Sequence, residues 1–353
     1  MLSLALLLFI PLSLILKYLL VADPIWLFLT GAVAIAALAD WIRRATEQLA
    51  ERAGSAIGGL LNVSFGSISE LLLSLFVLAQ GDVAVVKAQI TGSIIGTSLL
   101  GLGLAMLIGG FKRERQTFNR ANTGLLSTLL ILVVVALLLP AVFDLTARAG
   151  TRDTFPTDER LSIGASAVLL MLYSANLVFT LITHRDIFAG DEPRSTNGWS
   201  LPKSLGVLIG GTILVALQAE LVSDALTATA SHLHVSKAFL GVIALALIGT
   251  SADLFAAVSF ARQDRMSIVF SICIGSAIQM ALVVAPLLVL LSWLIGHPMN
   301  LVFGNPLDLF AIAATAFVVR AIAADGETTW FEGLLLVGVY VLFGLAFFFV
   351  DPG

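Results

Sequence analysis

Eleven apolar runs, each long enough to cross a lipid bilayer, dominate the 353-residue sequence. A transmembrane helix needs about 20 apolar residues, because each residue adds a rise of about 1.5 Å. The runs cover residues 2–22, 24–43, 56–79, 84–110, 122–143, 161–184, 203–227, 236–261, 267–295, 306–323 and 329–349. Only 12% of the residues are charged, against about a quarter in soluble domains. The sequence therefore predicts an all-α membrane protein with about eleven transmembrane helices, surrounded by a lipid bilayer and without a nucleic acid partner.

Basic residues predict the orientation of these helices. When the joints between the runs are numbered alternately, 13 of the 19 Lys and Arg residues fall on one side. The richer side is expected to be cytoplasmic, which places the N-terminus in the cytoplasm and the C-terminus on the opposite side. The first run has no basic segment before it and carries Lys17 at its far end, so we interpret it as a transmembrane helix and not as a signal peptide.

Two segments of the chain align without gaps when the second half of the sequence is placed over the first. One constant offset sets Phe65–Leu71 over Ile248–Leu254, and it also aligns Gln80 with Gln263 and Gly92-Ser93 with Gly275-Ser276. The first copy starts in the third run and the second in the eighth, so the copies cross the membrane in opposite directions. Inverted repeats of this kind are typical of secondary transporters, whose substrate site lies near the bilayer midplane between the repeats.

Each copy carries one acid, Glu70 or Asp253, deep within an apolar run. A carboxylate near the bilayer centre costs several kcal/mol unless it is paired or faces a cavity, so such acids usually serve a function. In each copy a glycine, Gly66 or Gly249, precedes the acid by four residues. Glycine permits local unwinding of a helix, which would free backbone carbonyl oxygens to bind a cation.

Neutral oxygens accompany the two acids in both copies. The candidates are the hydroxyls of Ser67, Thr250, Ser93 and Ser276 and the amide of Gln279. Calcium binds six to eight oxygens, including carboxylates and carbonyls, so the set suits Ca²⁺ as a transported substrate. No histidine or thiol cluster in the sequence favours zinc or copper, and we expect neither a bound cofactor nor catalytic residues.

The same acids provide a mechanism for coupling. Without a cation, burial favours the protonated form of each carboxyl group, whereas bound calcium favours the ionised form. Glu70 and Asp253 could therefore hold one calcium ion or about two protons, and competition between the two loads is sufficient for antiport.

Two further polar residues are candidates for the site. Glu220 lies within the seventh run, with Asp224 four residues later on the same helix face, and it could be a third ligand, a proton relay or an acid facing the aqueous side. Asn62 precedes Gly66 by one turn and could bind the cation or cap broken backbone.

Three further motifs are Ala45–Arg52 running into Gly58–Gly66, then Gly296–Gly304, and finally Asp325–Gly333. They resemble motifs of the calcium/proton exchangers, a family of the cation/calcium exchanger superfamily. The resemblance covers nearly the whole chain. It implies two inverted five-helix repeats behind one extra N-terminal helix.

The resemblance also implies how the chain is divided. The divisions are an N-terminal helix at 1–22, a first repeat at 24–184, a cytoplasmic linker at 185–202 and a second repeat at 203–349. The two essential acids of the family fall on Glu70 and Asp253, and a further family acid falls on Glu220.

This chain departs from the usual family pattern at several positions of the proposed site. Members usually carry asparagine at the positions of Ser67, Thr250 and Thr97. They usually carry glutamate followed by histidine where Asp253 and Leu254 stand. The run Gly249–Ser251 followed by Asp253 is more similar to the sodium/calcium branch of the superfamily.

The leading hypothesis is a secondary active antiporter that exchanges Ca²⁺ for H⁺, and the alternative is exchange of another cation, such as Na⁺, against Ca²⁺ or H⁺. An intramembrane aspartyl protease would also place two acids in the membrane, but the sequence has no Gly-x-Gly-Asp run and an enzyme gives no reason for inverted copies. Short joints between the helices favour a prokaryotic inner membrane.

Overall fold

The computed structural model describes residues 5–20, 23–53, 61, 65–148, 155–183 and 199–350. This part of the chain contains eleven helices of ten or more residues, which confirms the predicted all-α membrane architecture. They are α1 (Phe9–Tyr18), α2 (Pro24–Ala53), α3 (Ile68–Ala79), α4 (Val83–Gly110), α5 (Arg120–Arg148), α6 (Phe155–Val178), α7 (Leu201–Leu233), α8 (Lys237–Arg262), α9 (Met266–Ile295), α10 (Pro306–Ile322) and α11 (Trp330–Phe349). The predicted linker at 185–202 lies mostly outside the described residues, so the predicted divisions stay a prediction.

Eight of these helices are long and apolar enough to cross a membrane, and α1, α3 and α10 are shorter. The sequence predicts the end of α2 near residue 43, but the helix continues to Ala53. Ion pairs one turn apart stabilise this extension, since Asp40 accepts from Arg43 at 3.2 Å and from Arg44 at 2.7 Å. The polar segment after residue 43 is therefore helical and extends the transmembrane helix.

The internal repeat of the sequence is visible in the backbone. Helices α3 and α8 end at Ala79 and Arg262, and α4 and α9 begin at Val83 and Met266, so the offset that aligns the sequence copies also aligns both boundaries. Gly81 and Asp264 are related by the same offset, and both adopt positive φ, at 83° and 63°. Glycine adopts this conformation freely, whereas aspartate is one of the few other residues that tolerate it.

Each repeat also contains a π-helical turn at the corresponding position. The turns cover Gly96–Gly101 within α4 and Met280–Val284 within α9. They follow Ser93 and Ser276, whose hydroxyls the sequence predicts as ligands of the proposed site. Isolated π-helical turns inside α-helices are rare and occur frequently at functional sites. A further one covers Leu240–Leu245 at the start of α8.

Helix α1 is attached to α7 by two polar contacts. The hydroxyl of Ser13 donates to the side-chain oxygen of Gln218 at 2.8 Å, and both side chains are buried. Lys17 forms a salt bridge with Asp224 at 3.0 Å, and Gln80 donates to the same carboxylate at 2.9 Å. Buried polar groups inside a membrane protein need such partners, because lipid offers none.

A short antiparallel strand pair joins the two halves of the chain at one end. Strand β1 (Gln116–Thr117) pairs with β2 (Glu327–Thr328), with Gln116 opposite Thr328. The sequence pattern does not predict this pair, because two residues per strand are too few to show an alternating pattern. It connects the joint before α5 with the joint before α11.

Helices α4 and α8 cross at very short distance, and glycine makes this approach feasible. A Cβ atom at Gly92 would lie 2.0 Å from the carbonyl oxygen of Val242, and one at Gly241 would lie 2.8 Å from that of Val85. Small residues at helix crossings let membrane helices pack backbone against backbone. Gly275 occupies the corresponding position of the second repeat, where a Cβ would meet nothing within 4 Å.

We expect Gly92→Ala to destabilise the protein by about 2 kcal/mol or more, because the clash is with backbone that no rotamer change can relieve. The matched control is Gly275→Ala, which should change stability by no more than about 1 kcal/mol. Thermal unfolding of the purified protein in detergent measures both. Equal unfolding temperatures for the two variants would contradict the described crossing of α4 and α8.

Candidate functional site

Glu70 lies in the first turn of α3, directly after a break in the helical backbone. Gly66 and Ser67 form a turn, and the helix begins at Ile68. The break agrees with the expectation that glycine interrupts the helix there. It places the positive end of the α3 dipole beside the carboxylate, which favours a negative charge. The Glu70 side chain is only 2% exposed, although it is an acid.

The expectation of unwinding at Gly249 is wrong. Gly249 lies within the regular α-helical segment Ala246–Arg262, so its backbone is not opened. The glycine is instead a packing position, because a Cβ atom there would lie 2.7 Å from Cγ of Glu70. Close approach between α8 and the Glu70 side chain therefore explains this glycine. The irregularity of α8 is the π-helical turn at Leu240–Leu245, which lies immediately before this segment.

The structure brings the two repeat-related acids together. Asp253 stands one turn after Gly249 on α8, and its charge acts on Glu70. Asp253 is half-buried, whereas Glu70 is fully buried. The charges of Arg43 and Glu47 on α2 act on Asp253 as well. Two carboxylates from opposite repeats therefore share one polar region inside the protein.

Neutral oxygens surround these acids in part as the sequence predicts. The Ser67 and Ser93 side chains lie beside Glu70, and the Ser276 side chain lies beside Asp253. Both carboxylate oxygens of Glu70 and the hydroxyls of Ser93 and Ser276 are buried without a well-formed hydrogen bond in the described part of the chain. Such groups are costly to leave unpaired, so their convergence favours a site that is completed by a cation or by protons.

The remaining hydroxyl and amide candidates are also buried. The hydroxyl of Thr250 donates to the carbonyl oxygen of Ala246 at 2.9 Å, which leaves oxygen lone pairs free to accept. Gln279 is 8% exposed and lies on α9, one turn after Ser276. Its place as a ligand stays a prediction.

Two candidates are not placed at the acid pair. Glu220 is exposed on α7, and its charge acts on Lys17, which also pairs with Asp224. This position agrees better with an acid facing the aqueous side than with a third ligand of the Glu70 and Asp253 pair. Asn62 lies outside the described residues, so its role stays a prediction.

Two carboxylates, several hydroxyls and one amide can hold a hard cation or protons. Within the described residues, no group of three or more His, Cys, Asp or Glu side chains has the arrangement of a resident metal site. Ca²⁺ accepts mixed carboxylate and neutral oxygen ligands in flexible geometry, as a transported ion requires. The carboxylate and neutral oxygens of this arrangement are therefore suitable ligands for Ca²⁺.

Sequence reasoning missed two sets of charged neighbours. Arg43 was counted only as a basic residue, and Glu47 only as part of the motif Ala45–Arg52 that supported the family resemblance. That motif was the available signal. Lys87 was counted only as a basic residue, yet it is half-buried on α4 and donates to the Asn300 side chain and the Val302 carbonyl at 2.6 Å each. Three acids surround it, namely Asp308, Asp144 and Asp158. Its position near the start of an apolar helix was the signal for a structural partner.

Comparisons with known proteins agree with this architecture. The model of the sodium/calcium exchanger protein family matches residues 24–182 and 203–349. The Ca(2+)/H(+) antiporter of Aphanothece halophytica is 38% identical over 363 residues, covering 98% of this chain and 95% of the relative. The Ca(2+)/H(+) antiporter ChaA of Bacillus subtilis (strain 168) is 38% identical over 331 residues, covering 91% and 92%.

A solved structure has the same fold as this chain. The structure of native YfkE superimposes with a TM-score of 0.85 at 34% identity, covering 99% of this chain and 100% of the other. The family model and the two antiporters each match far more than half of the sequence. The chain therefore belongs to the sodium/calcium exchanger protein family.

Proposed function

We propose that this protein is a secondary active antiporter, and not an enzyme, that exchanges Ca²⁺ for H⁺ across a membrane. The proposal rests on the electrostatic interaction between Glu70 and Asp253, which come from opposite repeats. Both carboxylate oxygens of Glu70 are buried, and among the described residues they lack a well-formed hydrogen bond. The similar proteins named above are themselves Ca(2+)/H(+) antiporters.

Charge balance explains why two acids couple calcium to protons. A pair of ionised carboxylates is neutralised by one Ca²⁺ or by two H⁺, so either loaded form presents no net charge from these groups to the low-dielectric interior. The empty pair would carry two negative charges, one on the fully buried Glu70 and one on the half-buried Asp253, and burial of an ion costs several kcal/mol. The two loaded forms are therefore favoured over the empty one, and this preference makes the exchange obligatory.

The proposed cation site consists of Glu70 and Asp253 with the hydroxyls of Ser67, Ser93 and Ser276, together with Thr250 and Gln279. Hydroxyl and amide oxygens bind Ca²⁺ well and bind protons poorly, so they add cation affinity without taking part in proton binding. Gly249 supports the site by giving the Glu70 side chain room, whereas Gly66 permits the turn before α3.

We place the basic-rich joints, the N-terminus and the linker at 185–202 in the cytoplasm, following the charge asymmetry of the sequence. A relative of similar length comes from a bacterium, Bacillus subtilis, which supports a plasma membrane location. A proton gradient directed into the cell would then drive calcium out of it.

The direct test is calcium uptake by proteoliposomes with an imposed pH gradient. We expect calcium uptake to require the pH gradient and to fall at least about 100-fold in Glu70→Gln or Asp253→Asn. Either substitution leaves a single carboxylate, whose one negative charge is not balanced by one Ca²⁺ or by two H⁺. Glu114→Gln, which removes an exposed acid in the joint before α5, is the matched control and should transport normally.

Two outcomes would overturn the proposal. Gradient-driven uptake that persists in both acid variants would remove the assigned site. Calcium flux driven by a sodium gradient in the absence of a pH difference would instead support exchange of Na⁺ for Ca²⁺.

A second test concerns the packing of α8 against Glu70. Gly249→Ala introduces a Cβ that would lie 2.7 Å from Cγ of Glu70, so the Glu70 side chain must shift from its position in the site. We expect the KM for calcium to rise about tenfold, which corresponds to about 1.4 kcal/mol of binding free energy. Gly275→Ala, next to Ser276 on α9, introduces the same methyl group into open space and serves as the control. An unchanged KM in Gly249→Ala would show that Glu70 does not depend on this contact.

A further inference from the structure

An open groove of about 530 Å³ lies between the beginning of α5 and the end of α10. Two arginines, Arg120 and Arg320, contribute to its wall, together with Gly124 and Thr128 on α5. Neither arginine belongs to the proposed cation site, and a positively charged groove is unsuited to calcium. The volume falls within the usual range of small-molecule sites.

Both arginines are available to a ligand. Arg120 is the first residue of α5, Arg320 lies in the last turn of α10, and both side chains are exposed. In the described part of the chain, neither guanidinium forms a hydrogen bond or a salt bridge. The planar guanidinium donates several hydrogen bonds in a fixed geometry that matches phosphate oxygens. Two such groups on one groove, without an acidic partner there, indicate an anionic ligand.

The groove lies where a membrane helix meets the aqueous phase. Both arginines stand next to the basic-rich joints, at the ends of α5 and α10. Toward the membrane interior, the same two helices present apolar side chains to the outside, with Leu125 42% exposed and Phe317 74% exposed. A ligand that binds the arginines would therefore have a polar head at the surface and apolar chains along the helices. Basic pockets between transmembrane helices bind anionic lipid headgroups in this manner.

We propose that this groove binds the headgroup phosphate of an anionic phospholipid. A phosphatidylglycerol headgroup has one net negative charge that the two arginines can share. A phosphatidylcholine headgroup carries its own compensating cation and gains less from them. Inorganic phosphate would satisfy the arginines equally, but it would leave the apolar surfaces of Leu125 and Phe317 unused. The combination of charge and apolar surface identifies the lipid.

The bound lipid would join the two halves of the protein. Arg120 belongs to the first half and Arg320 to the second, and α5 packs directly against α10. A Cβ atom at Gly326, which precedes strand β2, would lie 3.2 Å from Cβ of Arg120. The lipid would thus lie beside the β1–β2 pair, which links the same two halves. We expect an anionic lipid to stabilise the folded protein more than a zwitterionic one.

The test is lipid titration of the delipidated protein in detergent, followed by native mass spectrometry. Wild-type protein should bind one phosphatidylglycerol at least tenfold more tightly than phosphatidylcholine. Each of Arg120→Gln and Arg320→Gln should reduce phosphatidylglycerol affinity about fivefold, and the double variant about 25-fold. Arg262→Gln, which replaces an exposed arginine at the end of α8, is the control and should keep the wild-type affinity.

The accompanying measurement is the unfolding temperature with phosphatidylglycerol or inorganic phosphate added. Phosphatidylglycerol should raise it in wild type and in Arg262→Gln, and have little effect in the double variant. Equal phosphatidylglycerol affinity in wild type and the double variant would overturn the proposal. A rise of the unfolding temperature with inorganic phosphate alone, without lipid, would also overturn it. Size-exclusion profiles verify that each variant is folded, since both substituted side chains are exposed.

Discussion

The rest of the structure depends on one constraint, which is that two carboxylates from opposite repeats, the fully buried Glu70 and the half-buried Asp253, share one region inside the protein. Ionised, Glu70 and Asp253 would repel each other and lose their hydration, so the site is favourable only when it is neutralised. In the proposed exchange, calcium and protons satisfy this requirement in turn. The surrounding hydroxyls of Ser93 and Ser276 favour the cation without supplying further charge. Exchange thus follows from electrostatics, provided that the two repeats hold the carboxylates close together.

Glycine packing keeps the repeats at that distance. Gly249 permits contact between α8 and Glu70, and Gly92 and Gly241 let α4 and α8 cross with backbone nearly touching backbone. In lipid there is little hydrophobic driving force between helices, so close van der Waals packing contributes much of the association. The same crossing orients the helices that carry Ser93 and Asp253. Packing and binding geometry therefore depend on a common set of small residues.

The length of the apolar runs predicts the eleven helices, and one constant offset between the matching segments predicts the repeat. Other features depend on tertiary contacts that such signals do not contain. The helical extension of α2 depends on the Asp40 ion pairs, and the β1–β2 pair is too short to show periodicity. Gly249 has the sequence context of Gly66, yet it lies in a regular helix where it gives space to the Glu70 side chain. A glycine can be required for its backbone conformation or for its small size, and the sequence does not distinguish these two reasons. The exposed position of Glu220 likewise follows from the rotation of α7, which the apolar pattern leaves open.

The central claim is that calcium and protons compete for the same two carboxyl groups, and proton release on calcium binding tests it most directly. Calcium can be added to the detergent-solubilised protein in a weakly buffered solution that contains a pH indicator. The account predicts release of about two protons per bound calcium, because a metal site with protonated ligands must lose those protons to bind. Calcium binding at full stoichiometry without proton release would contradict it.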